Sequence, residues 1–322
     1  MSGALGIVRR VTRRPIVLAL LLSSAACGDD KGDALPPDAN NGDGDGDADA
    51  AVDAPSIVPI ITSVDYPVIA HGARLIITGT DLDGTTDVTI GGVSHTDIVP
   101  STDSIIVRAL DPSVAVALAQ PVTVTSPLGT SDPFDVTVIH LVISEIDPDT
   151  PGADTEEFVE LDTGLAEVVS LDGYVLAFFN GNSPQGDLIG SAIDLAADTA
   201  ATGLLVVGSN TLPVTPQILF AGPIQAGEDG AGVFQFPGDV ATFPATLGPG
   251  GLLDGVIWES GDDADSASIA PLVSDGVVVN EGDMSAQREG VSIQRCLGDQ
   301  TPRLGAAYGL LAPSAGVANS DC

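Results

Sequence analysis

From Pro59 onward the apolar residues come in short runs, cut about every ten residues by Gly, Pro or Asp. Such spacing leaves little room for an amphipathic helix of ordinary length. In the clearest runs apolar and polar residues alternate, as in Val122-Thr123-Val124-Thr125 and Val136-Thr137-Val138. A period of two places the valines on one face of a strand and the threonines on the other. The 38 glycines and 23 prolines supply the turns, and aromatic residues make up only 4%. The expected fold class is all-β, with many short strands stacked as β-sandwiches.

The start of the chain is of another kind. Arg9, Arg10, Arg13 and Arg14 precede an apolar run from Pro15 to Leu22, then the small residues Ser23 to Ala26, then Cys27. Charge, apolar stretch and small residues in that order make a secretory signal. The apolar stretch, about a dozen residues, falls short of the roughly 20 that cross a bilayer as a helix. Ser24-Ala25-Ala26-Cys27 resembles the bacterial lipobox, whose cysteine becomes an acylated N-terminus. The resemblance implies residues 1–26 as a lipoprotein signal peptide and Cys27 as the lipidation site; ordinary cleavage after Ala26 is the alternative. Cysteine arithmetic agrees with lipidation. Of three cysteines, one on lipid leaves Cys296 and Cys322 to pair in an oxidising compartment.

Residues 27–56 read as a flexible acidic tether. The run Asn40 to Asp49 is nearly all Asp, Gly, Ala and Asn, and buries too little to offset ordering entropy. About 30 such residues reach roughly 30 Å on average. Asp43, Asp45 and Asp47 alternate like the start of an EF-hand loop. The required Gly and Glu are missing: Ala48 and Ala54 stand there in one frame, Ala50 and Ser56 in the other. Past the signal, 6 basic residues face 45 acidic ones. That field repels phosphate backbones and excludes nucleic acid as an expected partner.

Residues 57–139 hold strand patterns at Pro59–Val64, Leu75–Gly79, Asp87–Gly92, Ser104–Ala109, Val122–Thr125 and Phe134–Val138. Pro59-Ile60-Ile61, Gly72 to Leu82, Val88 to Gly92 and Val122 to Gly129 together resemble the IPT/TIG family of immunoglobulin-like domains. The resemblance implies a spacer or protein-binding module without catalysis. Residues 140–322 continue with Leu141–Ile146, Glu156–Leu161, Leu171–Leu176, Leu204–Val207, Ile218–Phe220, Gly232–Phe236, Leu252–Trp258 and Val291–Arg295. Ile143-Ser144-Glu145, Glu157 to Leu161, Leu171 to Tyr174, Asp229 to Val233, Leu253 to Val256, Ser292 to Arg295 and Pro313 to Asn319 resemble the lamin-tail domain, another immunoglobulin-like sandwich. Together these resemblances imply two tandem immunoglobulin-like β-sandwich domains after a signal peptide and an acidic linker.

Chemistry is sparse. His71, His95 and His140 fall in expected turns or at the domain junction, with no metal-ligand spacing to another His or Cys. No nucleophile elbow, phosphate loop or dinucleotide fingerprint occurs. Two acidic loops could supply hard oxygen ligands for calcium: Asp147, Asp149, Asp154 and Glu156 in one, Glu259, Asp262, Asp263 and Asp265 in the other. Their alternative role is a solvated surface. No cofactor is expected to be required. The expectation is an exported protein, lipid-anchored at the outer membrane or cell surface, acting as a non-enzymatic binding or scaffolding module. Its partner would be an envelope or extracellular protein or polysaccharide. The alternatives are an accessory of an extracellular hydrolase system, or a plain spacer.

Overall fold

The computed structural model describes residues 58–150, 155–220, 222, 224, 225, 227–248, 250–261, 266–282 and 288–322. The fold is all-β; the helical segments that pack against it, such as Val240–Thr242 and Ala270–Leu272, are single 3-10 turns. Among the described residues no helix is long and apolar enough to cross a membrane. Cys27 and the tether lie outside the described residues.

Ten strands come first: β1 Ile60–Val64, β2 Val68–Ala70, β3 Leu75–Thr80, β4 Asp87–Ile90, β5 Val93–His95, β6 Ile98–Pro100, β7 Ser104–Val107, β8 Ala117–Ser126, β9 Gly129–Thr130 and β10 Phe134–Ile139. They form one sheet in the order β1-β3-β7-β6 and a second in the order β2-β10-β8-β4-β5, with β9 on β8. Val122, Val124, Val136 and Val138 face inward and are buried, while Thr123, Thr125 and Thr137 are only partly covered.

Twelve more follow: β11 Val142–Asp147, β12 Phe158–Asp162, β13 Tyr174–Asn180, β14 Asp187–Leu188, β15 Ile193–Asp194, β16 Leu204–Gly208, β17 Ile218–Leu219, β18 Asp229–Gln235, β19 Leu252–Glu259, β20 Val279–Asn280, β21 Ser292–Arg295 and β22 Tyr308–Leu311. Their sheets run β17-β16-β12-β11-β21-β22 and β14-β13-β18-β19-β20, with β15 on β13. β12 alternates as its sequence requires, but both faces are buried. Val159 and Leu161 enter the inter-sheet core, whereas Phe158 packs outward with Val206 and Leu212. Glu160 shares that outer face and is fully buried as well.

What covers Glu160 is the segment after β22. The backbone N–H of Gly316 donates to its Oε2 (2.7 Å), and Ser144 Oγ donates to its Oε1 (2.8 Å). Glu145, also fully buried, accepts from Ser292 Oγ (2.5 Å), Gln294 Nε2 (3.1 Å), and both the N–H (2.8 Å) and the hydroxyl (2.7 Å) of Ser314. Asn319 Nδ2 donates to the carbonyl of Ser144 (2.6 Å). Cys296 and Cys322 are joined as a disulfide, so this segment is held covalently too. A buried carboxylate costs several kcal/mol unless donors surround it; these donors come from the tail.

A buried ion pair fixes the other side of β11. Arg295 Nη2 donates to Asp254 Oδ2 (2.7 Å), and the two side chains are 2% and 0% exposed. Asp254 also accepts from the N–H groups of Ile143 (2.7 Å) and Arg303. The guanidinium further reaches the carbonyls of Ile143 (3.1 Å) and Thr301 (2.7 Å) and the Tyr308 hydroxyl (2.7 Å).

Strands β1–β10 pair only among themselves, as do β11–β22, yet one hydrophobic core runs through both sandwiches. Hydrogen bonds join them. The Tyr174 hydroxyl on β13 accepts from Ala70 N–H (2.9 Å) and donates to Val68 carbonyl (3.2 Å) on β2. The side-chain amide of Gln235 accepts from Arg74 N–H (2.8 Å) and donates to Arg74 carbonyl (2.7 Å), imitating one rung of a ladder. Gly173, at φ +87°, lies so close to Tyr66 that a Cβ would stand 2.5 Å from its ring.

Candidate binding cleft between the sandwiches

Where the two sandwiches meet, a cleft of about 400 Å³ opens, lined by His71, Pro112, His140, Leu141, Val142, Leu253, Gln300, Thr301 and Pro302. Five of these are Pro, Leu or Val, contributed by the loop after β7, the link from β10 to β11, the start of β19 and the turn after β21. Prolines and strand ends make these walls stiff. Gln300 brings the notable polar feature. Its Nε2 donates to Asp162 Oδ2 (3.4 Å), while its Oε1 is shielded from solvent and has no hydrogen-bond partner. An apolar cleft of this size with a few placed polar groups is the usual form of a small ligand site.

The floor includes two histidines that sequence spacing did not pair. His71 Nδ1 and His140 Nδ1 stand 3.0 Å apart, with the rings edge to face. His71 Nε2 lies 2.8 Å from the carbonyl of Val114. A carbonyl only accepts, so Nε2 carries the hydrogen and Nδ1 of His71 is an acceptor; His140 Nδ1 is then the donor. His71 is neutral in this arrangement. Burial lowers the pKa of each, and for His140 the neighbouring His71 adds to the effect. Three ring nitrogens are thus engaged in the junction. His95, expected in a turn, ends β5 instead; its Nδ1 faces the carbonyl of Val93 (3.0 Å) and its Nε2 accepts from Asp111 N–H (3.1 Å).

The acidic residues singled out in the sequence fall elsewhere. Asp147 and Glu259 are not loop residues; they are the last residues of β11 and β19. Ile143 N–H donates to Asp254, which brings the starts of the two strands together. Asp149 pairs with Arg288 (2.8 Å). Glu156 is exposed, and Glu259 accepts from Asn280 Nδ2 (3.3 Å). Asp154, Asp262, Asp263 and Asp265 lie outside the described residues. Among the described residues no three His, Cys, Asp or Glu side chains already converge as a metal-holding group. The sequence reading missed Glu281, just past β20 and 2% exposed. An acid one residue past the apolar run Val277-Val278-Val279, after Asn280, was the signal available for it.

No protein-family model and no curated protein matches the chain. Among solved structures the chain is similar to SGBP-B from a complex xyloglucan utilization locus of Bacteroides uniformis, at 18% identity over 56% of this chain and 47% of that one, with a TM-score of 0.22. It is similar to SGBP-B of the Bacteroides ovatus mixed-linkage glucan utilization locus, in complex with a mixed-linkage heptasaccharide, at 13% identity over 54% and 39%, with a TM-score of 0.24. A DUF4876 family protein from Bacteroides thetaiotaomicron matches at 11% identity over 79% and 91%, with a TM-score of 0.29. The chain spans less than half the length of the two SGBP-B proteins. Similarity at this level fixes neither ligand nor activity.

Proposed function

We propose that this protein is a non-enzymatic binding module of the cell envelope, exported, held to a bacterial membrane through a lipid on Cys27, and presenting its ligand site at the junction of an IPT/TIG-like sandwich and a lamin-tail-like sandwich. The observation that carries the proposal is the apolar cleft with the unpaired Gln300 Oε1 in its wall. A buried acceptor left without a donor is costly, and a ligand hydroxyl or amide N–H would satisfy it. The ligand class that fits is a segment of an envelope or extracellular polysaccharide or protein, with an apolar face and at least one such donor. The hydrogen-bonded junction supports the reading, because a site shared by two sandwiches needs them fixed. The spacer reading has one observation of its own: the large hydrophobic side chains exposed among the described residues are all Val, Ile or Leu, so no aromatic platform is on offer.

The test is cross-linking capture in intact cells with the full chain, Cys27→Ser and Thr301→Trp, the last placing an indole at the exposed rim of the cleft. Specific protein or polysaccharide retained by the full chain and lost with Thr301→Trp supports a cleft ligand. Retention unchanged by Thr301→Trp removes the cleft from the proposal. Loss with Cys27→Ser alone shows that anchoring governs access to the partner.

A further inference from the structure

We infer that the end of the C-terminal sandwich where β11 and β20 stop is a calcium site, with Asp147 and Glu281 as its side-chain ligands. Asp147 is 4% exposed and its Oδ1 has no hydrogen-bond partner; Glu281 is 2% exposed and neither of its carboxylate oxygens has one. Backbone geometry brings the two residues to the same place. Glu281 N–H donates to the Glu259 carbonyl (3.0 Å), fixing it beside the end of β19. Arg288 donates through Nε to Asp149 Oδ2 (2.8 Å) and through Nη1 to the Gly282 carbonyl (3.1 Å). One guanidinium therefore ties the residues just past Asp147 to the residue just past Glu281. Asp147 lies opposite Phe158 in the β11–β12 register, which sets Glu157 beside it. The pKa of the Asp147 carboxyl is pushed up to about 8, by burial first and then by Glu145, with Glu281 and Glu157 adding and a hydrogen bond from the Asp149 N–H opposing.

Positive charge is short at this end. Beyond Lys31 the chain has five basic residues, all arginine: Arg74, Arg108, Arg288, Arg295 and Arg303. Arg108 pairs with Asp97 and Arg295 with Asp254. Arg303 serves the carbonyls of Pro271 and Leu272, and the Arg74 charge acts on Tyr66 in the N-terminal sandwich. Arg288 alone cannot offset Asp147, Asp149, Glu157 and Glu281. The Glu281 carboxylate with no donor, and the Asp147 carboxylate with only the Asp149 N–H, are stable as anions only beside a cation. Calcium takes six to eight oxygen ligands in adaptable geometry and accepts water and carbonyls among them, whereas magnesium demands a near-ideal octahedron. Two carboxylates with a shell completed by carbonyls and water fit calcium.

The test uses the full chain in detergent, stripped with EDTA. Calorimetric titration is expected to show one calcium per chain, with affinity in the range of roughly 10⁻⁴ to 10⁻³ M typical of extracellular modules. Thermal unfolding is expected to rise by about 5 °C at 10 mM calcium for the tighter end of that range, and less with magnesium. Asp147→Asn and Glu281→Gln keep shape and remove charge. Each is expected to unfold in EDTA no lower than the parent chain, yet to lose the calcium-dependent rise. Terbium is the second readout, because Trp258, the sole tryptophan, lies opposite Val279 in the β19–β20 register. Sensitised terbium emission displaced by calcium is expected. No heat, no thermal shift and no terbium emission at 10 mM would overturn the inference. So would a calcium-dependent rise that survives both substitutions, which would place the ion elsewhere, as on the Asp43–Asp49 run.

Discussion

Arg295→Met isolates the buried ion pair at the centre of the C-terminal sandwich. The methionine fills much of the space but leaves the Asp254 carboxylate, fully buried, with only the Ile143 and Arg303 N–H groups. Removing one partner of such a pair costs about 3–5 kcal/mol, because a bare charge remains in a poor dielectric. The same change strips the Thr301 carbonyl of its donor, while the Ile143 carbonyl keeps the Tyr308 hydroxyl (2.9 Å). At roughly 0.5 kcal/mol per degree for a folded unit of this size, a loss of about 4 kcal/mol lowers the melting temperature by about 8 °C. Trp258 fluorescence is the assay, since this residue lies on β19 with Asp254 and is fully buried. Adding Asp254→Asn to Arg295→Met is expected to recover part of the loss. The amide oxygen still accepts from Ile143 N–H, and no unpaired anion is left. A fall below 2 °C for Arg295→Met, or a double variant whose loss is the plain sum of the two singles, refutes the reasoning.

Reduction of the Cys296–Cys322 bridge, whose partners are 26 residues apart, is expected to cost at most about 3.5 kcal/mol on the chain-entropy argument. Ser314, Gly316 and Asn319 already hold that segment, so melts with and without reductant should differ by at most about 7 °C, with near-ultraviolet circular dichroism retained. Stability should also depend on pH in a definite direction. Burial first raises Asp147 to about 8, Glu281 and Glu160 to about 7, and Asp229 to about 6. Their unfolded values lie near 4, so the folded state binds more protons between about pH 4.5 and 8, and stability falls as pH rises through that window. His71 and His140, both lowered, act oppositely, their contribution shrinking as pH falls below about 6.5. With more acids than histidines, the melting temperature without calcium is expected to climb from pH 8 to pH 6, and Glu281→Gln to flatten the climb. A melting temperature that rises with pH over this range contradicts the assignment.

The strands that alternate cleanly were readable from the sequence. Val122 to Thr125 and Val136 to Val138 show their period because one face meets the core and the other meets water. β12 shows what a period alone leaves out. Its alternation is correct, but the polar side is covered, because the chain folds back residues 314–319 over Glu160. Short strands such as β20 and β22 owe their state to a partner strand and have almost no pattern of their own. The cleft was equally hidden. His71 and His140 are 69 residues apart, and no spacing rule connects residues that meet only when two sheets stack. Of the acids read as loop residues, Asp147 and Glu259 are instead the last residues of β11 and β19. Glu281 stood between Asn280 and Gly282, outside the two acidic runs the sequence offered.

The tail that satisfies Glu145 has a consequence in time. Glu145 belongs to the first strand of its sandwich, while the Ser314 groups that neutralise its burial lie 169 residues later. Until that stretch has emerged, β11 cannot enter the core without leaving a carboxylate short of donors. The C-terminal sandwich therefore closes late and as a whole, with few contacts to reward a partly emerged chain. The tail latches only when residues 314–319 have joined the sheet.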